Sequence, residues 1–407
     1  MALITTLLAS LAAACGSTTD SLGDTRQPTQ VLEPIKGPTT YPNLFKDVLL
    51  KSDKEISTKL DTAFDKLFHG DPLTESFYVA DGEAAMILDS YHGDQRTEGY
   101  GLAMLIAVEM NKQDEFDRIW RGAQAFRYDV GPYEGYFWSV CDRPSGRELC
   151  VDPYGLQQFT MALLLANTRW KDSPSRVDYA KDASDLLYLL LHKEDMNGGV
   201  VDGVTNTFDE DSKLIPYQPN RAGVNITRPS LAMPAYYALW YQATTNPFFL
   251  EAAEKARDYL RAVSHPKTGL TPVRSDFDAN PLPGFDTFYA DCYRVQLNLM
   301  LDYVWSEQPV PSGDLSDRLL TFFTTQGPNY GRNFSLDGTV VLDTGHDAAL
   351  VAANGMSAIA APNNPQRLGF VQAVWSQPLP TGTPRYYAGL MQLLAMLALS
   401  GQLRADW

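Results

Sequence analysis

Apolar residues recur at helical spacing along almost the whole of this 407-residue chain. Ile56, Leu60, Phe64 and Leu67, for example, share one face of a helix. The same periodicity predicts further helices at 96–110, 112–126, 155–169, 177–192, 229–242, 247–264, 287–306, 312–325, 344–361, 366–374 and 385–400. Strand-like patterns are short, as at 199–204 and 339–342. The pattern therefore predicts an all-α protein of about twelve helices.

Long aromatic segments separate several of these helices, at 133–138, 217–227 and 276–288. Long ordered loops in a compact domain are usually functional. Helices in successive hairpins fit an α/α toroid of inner and outer helices, although periodicity does not show that the ring closes. No linker interrupts the chain from residue 41 onward, so we expect one domain over 41–407.

The N-terminus has the features of an export signal. Residues 1–15 are apolar but too short to span a bilayer, and small residues at 12–14 precede Cys15. This arrangement is typical of a bacterial lipoprotein box, which predicts lipid attachment at Cys15. Residues 16–40 are rich in Ser, Thr and Pro and predict a flexible linker. We expect an exported cell-surface or periplasmic lipoprotein, otherwise a secreted protein, that meets the membrane only through its lipid.

Two cysteines lie close together further along the chain. In an oxidising compartment Cys141 and Cys150 could form a disulfide across a short loop, and the alternative is two free thiols. Neither the cysteines nor the five histidines have the spacing of a zinc site. We therefore expect no metal site.

Charge and motifs exclude several classes of function. Lys and Arg number 33 against 49 Asp and Glu, giving a net charge of −16, which disfavours a nucleic-acid partner. The sequence has no phosphate-binding loop, dinucleotide fingerprint or serine nucleophile elbow, and no organic cofactor is expected. Carboxylates among glycines and aromatics remain, and these are the residue types used in glycoside hydrolysis.

Three carboxylates are candidates for chemistry. Glu98, in the segment QRTEGYG at 95–101, opens an apolar helix, where it also suits the helix dipole. Asp291, in FYADCYRV at 288–295, is a candidate base or a partner of Arg294 three residues later. Asp152 directly precedes a helix and suits an N-cap.

Taken in order, these segments resemble glycoside hydrolase family 8, closest to its branch of reducing-end xylose-releasing exo-oligoxylanases. The resemblance runs from about residue 43 to 404. It rests on RTEGYG at 96–101, MLIAV at 104–108, EFDRIW at 115–120, GYFW at 135–138, FTMAL at 159–163, RPSLAMPAYY at 228–237, HPKTGL at 265–270, DCYRV at 291–295, SLDG at 335–338, His346 with LVAAN at 350–354, and PRYY at 384–387.

The resemblance implies an (α/α)6 barrel and an inverting hydrolase of β-1,4-linked oligosaccharides, xylan-type or related. Glu98 would be the general acid and Asp291 the general base, with room between them for a water. His346 lies where the exo-acting branch has a histidine that blocks the cleft, which favours exo action. The implied substrate-binding residues are Tyr100, Trp138, Asp152, Tyr154, Arg228, Tyr289, Arg294, His346, Arg385 and Tyr387. We expect a monomer whose partner is its oligosaccharide substrate.

The sequence departs from the family pattern near the cleft. Tyr154 stands where the family has an aspartate, Arg228 replaces another, and Ala388 a third. The stretch that follows the acid also differs, at 101–104. These changes favour a shifted substrate, such as an acidic or uronate-decorated oligosaccharide. Two alternatives are a non-catalytic glycan-binding lipoprotein on a hydrolase scaffold, and a uronate lyase that uses Tyr154 and Arg228.

Overall fold

A computed structural model describes residues 31–143, 146–223, 225–306 and 312–406. The predicted signal and Cys15 lie outside the described residues. The chain enters the domain earlier than expected, because Ile35 is buried and the Glu33 amide donates to the Ala243 carbonyl at 2.8 Å. The predicted flexible linker over 16–40 is therefore wrong at its C-terminal end, which packs on the domain.

Within the described residues, twelve helices follow a single turn, α1 (Leu44–Asp47). They are α2 (Asp53–His69), α3 (Thr97–Glu109), α4 (Gln113–Ala123), α5 (Pro153–Trp170), α6 (Tyr179–Asn197), α7 (Pro234–Thr244), α8 (Pro247–Val263), α9 (Tyr293–Trp305), α10 (Ser312–Thr325), α11 (Ala348–Ala360), α12 (Arg367–Ser376) and α13 (Arg385–Leu399). None of them is both long enough and apolar enough to cross a membrane.

The helices form two concentric rings. The odd-numbered helices from α3 to α13 form the inner ring, which closes where α13 packs against α3. Helices α5 and α7 are joined by hydrogen bonds of 2.8 Å from Tyr236 to Gln158 and from Tyr237 to Gln157. The outer helices α4, α6, α8 and α2 pack mainly on α3, α5, α7 and α13, whereas α10 packs on both α9 and α11, and α12 on both α11 and α13. The predicted (α/α)6 barrel is confirmed.

Burial explains which helices lie inside. Nearly every residue of α3 and α13 is buried, as expected for helices enclosed on all sides. Helix α4 buries Phe116 and Ile119 while Asp114 and Arg118 form an outward ion pair. Close packing in the inner ring also needs glycine, because a Cβ on Gly99 would overlap the Tyr386 ring.

The strands are short, antiparallel and confined to loops that lead into inner helices. They are β1 (Tyr78–Asp81), β2 (Ala84–Ile87), β3 (Trp138–Arg143), β4 (Gly146–Val151), β5 (Ile226–Thr227), β6 (Ser275–Asp276), β7 (Thr287–Phe288), β8 (Asn333–Ser335) and β9 (Val341–Asp343). The sheets are β1–β2, β3–β4, β5–β6 and β7–β8–β9. Across β3–β4, Cys141 and Cys150 form a disulfide with their Cα atoms 6.0 Å apart.

This loop distribution positions the site. Inner and outer helices alternate along the chain, so all inner helices begin at the same end of the barrel. The long loops enter at that end, whereas the connections from inner to outer helices are shorter. Residues just before or at the start of each inner helix therefore converge there.

Three predicted helices begin later than expected. The segment 287–306 starts with strand β7 and a 3-10 turn, Ala290–Cys292, before α9. The segment 229–242 starts with a 3-10 turn, and the segment 344–361 becomes helical only at α11, which Asp347 caps. The predicted strand at 199–204 is reduced to isolated bridges from Val204 to Val201 and to Asn220. For each of the three helices, a strand, a 3-10 turn or a capped loop at the barrel mouth replaces the first helical turn that the sequence predicts.

Candidate active site

Glu98 lies in the first turn of α3, at the mouth of the barrel. Its side chain is 22% exposed, so it is reachable from the cleft although its surroundings are mostly protein. The preceding residue anchors this turn, because the Thr97 hydroxyl donates to Asp152 Oδ2 at 2.8 Å. Asp152 in turn caps α5 by accepting from the Tyr154 amide at 3.0 Å. The starts of α3 and α5 are thus fixed to each other next to Glu98.

Asp291 lies in the 3-10 turn that precedes α9. Ala290 has a φ of +30°, a left-handed conformation that is rare for a residue with a side chain. The Tyr387 hydroxyl, on α13, donates to the Ala290 carbonyl at 3.0 Å. This turn carries Asp291 at the mouth of the barrel, where its side chain is 30% exposed.

Arg294, in the first turn of α9, bridges the two carboxylates. Its Nη2 donates to Asp291 Oδ1 at 2.6 Å, and its Nη1 donates to Glu98 Oε2. The guanidinium is 1% exposed and lies 4.1 Å from the centre of the Tyr154 ring. A buried arginine with two carboxyl partners and an aromatic face beneath it has little freedom to move. Arg294 therefore fixes Glu98 and Asp291 relative to each other.

The surroundings drive the two carboxyl groups toward different protonation states. Burial raises the pKa of Glu98, and the nearby charges of Asp291 and Asp152 raise it further against the opposing effect of Arg294. Burial would also raise the pKa of Asp291, but Arg294, Arg228 and further arginines outweigh it and hold that pKa below its ordinary value. Two carboxyls with pKa values moved apart are suited to acid and base roles.

Arg228 approaches Asp291 from the other side. It follows strand β5, and its Nη1 lies 3.1 Å from Asp291 Oδ2. Its guanidinium lies 4.3 Å from the centre of the Tyr217 ring, and that of Arg274 lies 4.0 Å from the same centre. Tyr217 and Arg274 were not among the predicted site residues. Only the aromatic composition of the segment 217–227 pointed to this region.

Two other predicted site residues lie on the loops at the mouth of the barrel. Trp138 opens β3 and packs on Phe126 with 4.7 Å between ring centres. Tyr289 is 38% exposed and directly precedes the turn that carries Asp291. Tyr386 was missed by the sequence analysis, but its buried ring packs against Gly99 beside Glu98.

His346 lies in a cavity that adjoins the site. Its ring packs on Tyr330 at 5.3 Å, and its Nδ1 is 3.2 Å from the Tyr330 carbonyl. The cavity has a volume of about 990 Å³ and is also lined by Arg332, Asp347 and Ala388. Glu98, Asp291 and Arg294 do not line this cavity, but the charges of Arg332 and Asp347 act on the pKa of Tyr289, which directly precedes the turn of Asp291, so the cavity lies near that turn.

Two predicted binding residues lie away from the cluster. Tyr100 is 1% exposed and packs on Phe126, because a residue two positions after Glu98 faces the opposite side of α3. Arg385 is also buried, and its guanidinium donates to the carbonyls of Ser76, Gly382 and Pro72. Both side chains are therefore held by contacts within the protein, away from the cluster around Arg294, and their role in substrate binding stays a prediction.

Comparison with known proteins gives the family. The model of glycosyl hydrolases family 8 matches residues 75–401. The chain is 34% identical over 377 residues to the reducing-end xylose-releasing exo-oligoxylanase Rex8A of Paenibacillus barcinonensis, covering 90% of this chain and 96% of that protein. It is 33% identical over 373 residues to a reducing end xylose-releasing exo-oligoxylanase of Halalkalibacterium halodurans, covering 89% and 94%.

Solved structures agree with this result. Rex8A of Paenibacillus barcinonensis complexed with xylose matches with a TM-score of 0.82 at 33% identity, covering 91% of this chain and 99% of that one. A GH8 xylobiose complex from Teredinibacter turnerae matches with a TM-score of 0.82 at 31% identity, covering 90% and 97%. The chain belongs to glycosyl hydrolases family 8 and is a glycoside hydrolase of this inverting family, related to the exo-oligoxylanases.

Proposed function

We propose that this enzyme hydrolyses β-1,4-linked oligosaccharides of the xylan type, with Glu98 as general acid and Asp291 as general base. The observation that supports these roles is the arrangement around Arg294. One guanidinium binds both carboxyls, and their surroundings raise the pKa of one and lower that of the other. A protonated and an ionised carboxyl facing one cleft meet the requirement of an inverting glycosidase.

The reaction would proceed in one displacement. Protonated Glu98 gives its proton to the glycosidic oxygen as the bond between that oxygen and the anomeric carbon breaks. A water attacks the anomeric carbon from the opposite face and transfers a proton to Asp291. Arg294 keeps Asp291 ionised until that transfer, and the product has the inverted anomeric configuration.

We further propose exo action from the reducing end. The curated relatives Rex8A and its Halalkalibacterium halodurans counterpart are both named for release of xylose from the reducing end. In this chain His346 lies on the loop before α11, beside Tyr330, in the cavity that Arg332 and Asp347 also line. A ring fixed at this place would limit the number of sugar units beyond the cleavage point.

The test is a panel of xylo-oligosaccharides labelled at the reducing end, with products identified by mass spectrometry. We expect wild type to release single labelled xylose units and Glu98→Gln to release none. Glu254→Gln, an exposed glutamate on α8, is the matched control and should behave as wild type. Release of larger labelled fragments would contradict exo action. An oligosaccharide with 4-linked uronic acid in its backbone completes the panel, because only such a substrate can give the unsaturated, ultraviolet-absorbing product that would indicate the lyase alternative.

A further inference from the structure

The charges around Asp291 are not balanced. Arg294 and Arg228 both pair with this one carboxylate, through Oδ1 and Oδ2 respectively. Among the described residues, Asp291 is the carboxylate within ion-pair distance of Arg228. If Glu98 is protonated, as its role requires, two guanidinium groups share a single negative charge. This local excess of positive charge contrasts with the net charge of −16 of the whole chain.

Arg294 and Arg228 differ in exposure and in how firmly their guanidinium groups are held. Arg294 is 1% exposed and its two terminal nitrogens are used by Asp291 and Glu98. Arg228 is 21% exposed, and its guanidinium rests on the Tyr217 ring. An arginine that lies on an aromatic face can change its hydrogen-bond partner while it keeps that stacking contact. Of these two arginines, Arg228 is thus the one that a molecule in the cleft can reach.

Arg228 also binds the carboxylate of Asp291, which must act as the catalytic base. Asp291 must accept a proton from water, and one of its oxygens, Oδ1, is already bound by Arg294. The other oxygen, Oδ2, faces Arg228 at 3.1 Å. A negatively charged group on the substrate would attract Arg228. The ion pair of Arg228 with Asp291 would then be replaced by one with the substrate, and Asp291 Oδ2 would be available to the attacking water.

We propose that Arg228 recognises a carboxylate on the substrate, so that the preferred substrate is a β-1,4-linked oligosaccharide bearing a uronic acid near the cleaved bond. This inference rests on the proposed hydrolase function. Arginine matches the two oxygens of a carboxylate with two parallel hydrogen bonds, and the neighbouring Arg274 on the same Tyr217 ring adds positive charge at this place. Arg228 therefore acts as a specificity residue that also releases the base.

The kinetic test compares two substrates with the same xylose backbone, one undecorated and one with a glucuronosyl side group. We expect wild type to show at least about tenfold higher kcat/KM for the acidic one, the worth of one charge-assisted hydrogen bond. Arg228→Gln should abolish that preference, and the readout is the ratio of kcat/KM for the acidic substrate to kcat/KM for the neutral one, because the absolute rates also depend on the contact of Arg228 with Asp291. Arg261→Gln removes an exposed arginine from α8 and should leave the preference unchanged. If the ratio of kcat/KM for the acidic substrate to that for the neutral one were equal in wild type and Arg228→Gln, the inference would be overturned.

A binding test separates this inference from the proposed function. Calorimetry would measure the Kd of both oligosaccharides for Glu98→Gln and for Glu98→Gln/Arg228→Gln, with thermal unfolding to show that each variant is folded. The inference predicts tighter binding of the acidic oligosaccharide, by about tenfold, only where Arg228 is present. Equal Kd values of the acidic oligosaccharide for the two variants would overturn the inference. A wild type that binds the acidic compound through Arg228 but cleaves neither substrate would instead refute the proposed function alone.

Discussion

Arg294 donates from Nη2 to Oδ1 of Asp291, three residues earlier in the chain, at 2.6 Å. The same guanidinium reaches Glu98, which is distant in sequence and lies on another helix. A lysine would present one nitrogen in place of the planar fork. We expect Arg294→Lys to lose about 100-fold or more in kcat, because the two carboxyls lose their common partner. Steady-state kinetics at several pH values would measure this loss, and near-normal kcat in a folded variant would contradict it.

The pH profile follows from the directions of the two pKa shifts. Burial raises the pKa of Glu98, whereas the arginines overcome burial and lower the pKa of Asp291. Activity needs Glu98 protonated and Asp291 ionised, so kcat/KM should fall as the pH rises through the pKa of Glu98. It should also fall as the pH drops through that of Asp291, below the ordinary value of about 3.9.

Arg228→Gln tests whether Asp291 causes the fall of kcat/KM at low pH, which is the acid limb of the pH profile. Removing one of the cations that lower the pKa of Asp291 should move this limb to higher pH. The pH dependence of kcat/KM on a neutral substrate would show the shift. An acid limb that stays in place would contradict the assignment of Asp291 as the base.

Tyr154 provides a fourth prediction, because the centre of its ring lies 4.1 Å from the Arg294 guanidinium. Tyr154→Phe keeps this aromatic face, and we expect kcat/KM within about threefold of wild type. Tyr154→Ala leaves a cavity under Arg294 and should cost about 3–5 kcal/mol of the free energy of unfolding. Urea unfolding and kinetics of both variants would check this. An equal loss of activity in both variants would give the hydroxyl a chemical role, as a lyase requires.

Asp302 gives a prediction about stability away from the site. It is fully buried near the C-terminal end of α9 and accepts from Arg257 on α8 at 2.7 Å and from Ser312 on α10 at 2.8 Å. Asp302→Asn leaves a mostly buried arginine without its counter-charge, and we expect a loss of about 2–4 kcal/mol in the free energy of unfolding. Ser312→Ala, which removes one hydrogen bond, should cost about 1 kcal/mol. Because Asp302 lies away from the site, we expect kcat to be unchanged in both variants, and urea unfolding would measure the two losses of stability.

The sequence predicted the helices well because burial in this fold follows helical spacing. Segments such as 312–325 match α10 at both ends. The errors lie at the barrel mouth. There, loop geometry at Ala290 and the 3-10 turn before α7 replaces regular helix, and periodicity carries no information about such turns.

The site was predictable where a residue lies at the start of an inner helix. Glu98, Asp291, Arg294 and Tyr154 were predicted together and meet around one guanidinium. Tyr100 lies away from this cluster although it is close to Glu98 in sequence, because positions two apart on a helix face different sides. The Tyr217 and Arg274 pair comes from loops 57 residues apart, and no local pattern reveals such a contact.

The most direct measurement compares Glu98→Gln and Asp291→Asn on xylotriose and on β-xylobiosyl fluoride, whose leaving group needs no proton. Only the acid becomes dispensable on the fluoride, because the attacking water still requires a base. We predict that Glu98→Gln loses xylotriose hydrolysis but cleaves the fluoride at a rate near that of wild type, while Asp291→Asn fails on both substrates. Loss of fluoride hydrolysis in Glu98→Gln, or its retention in Asp291→Asn, would contradict the assignment of Glu98 as acid and Asp291 as base.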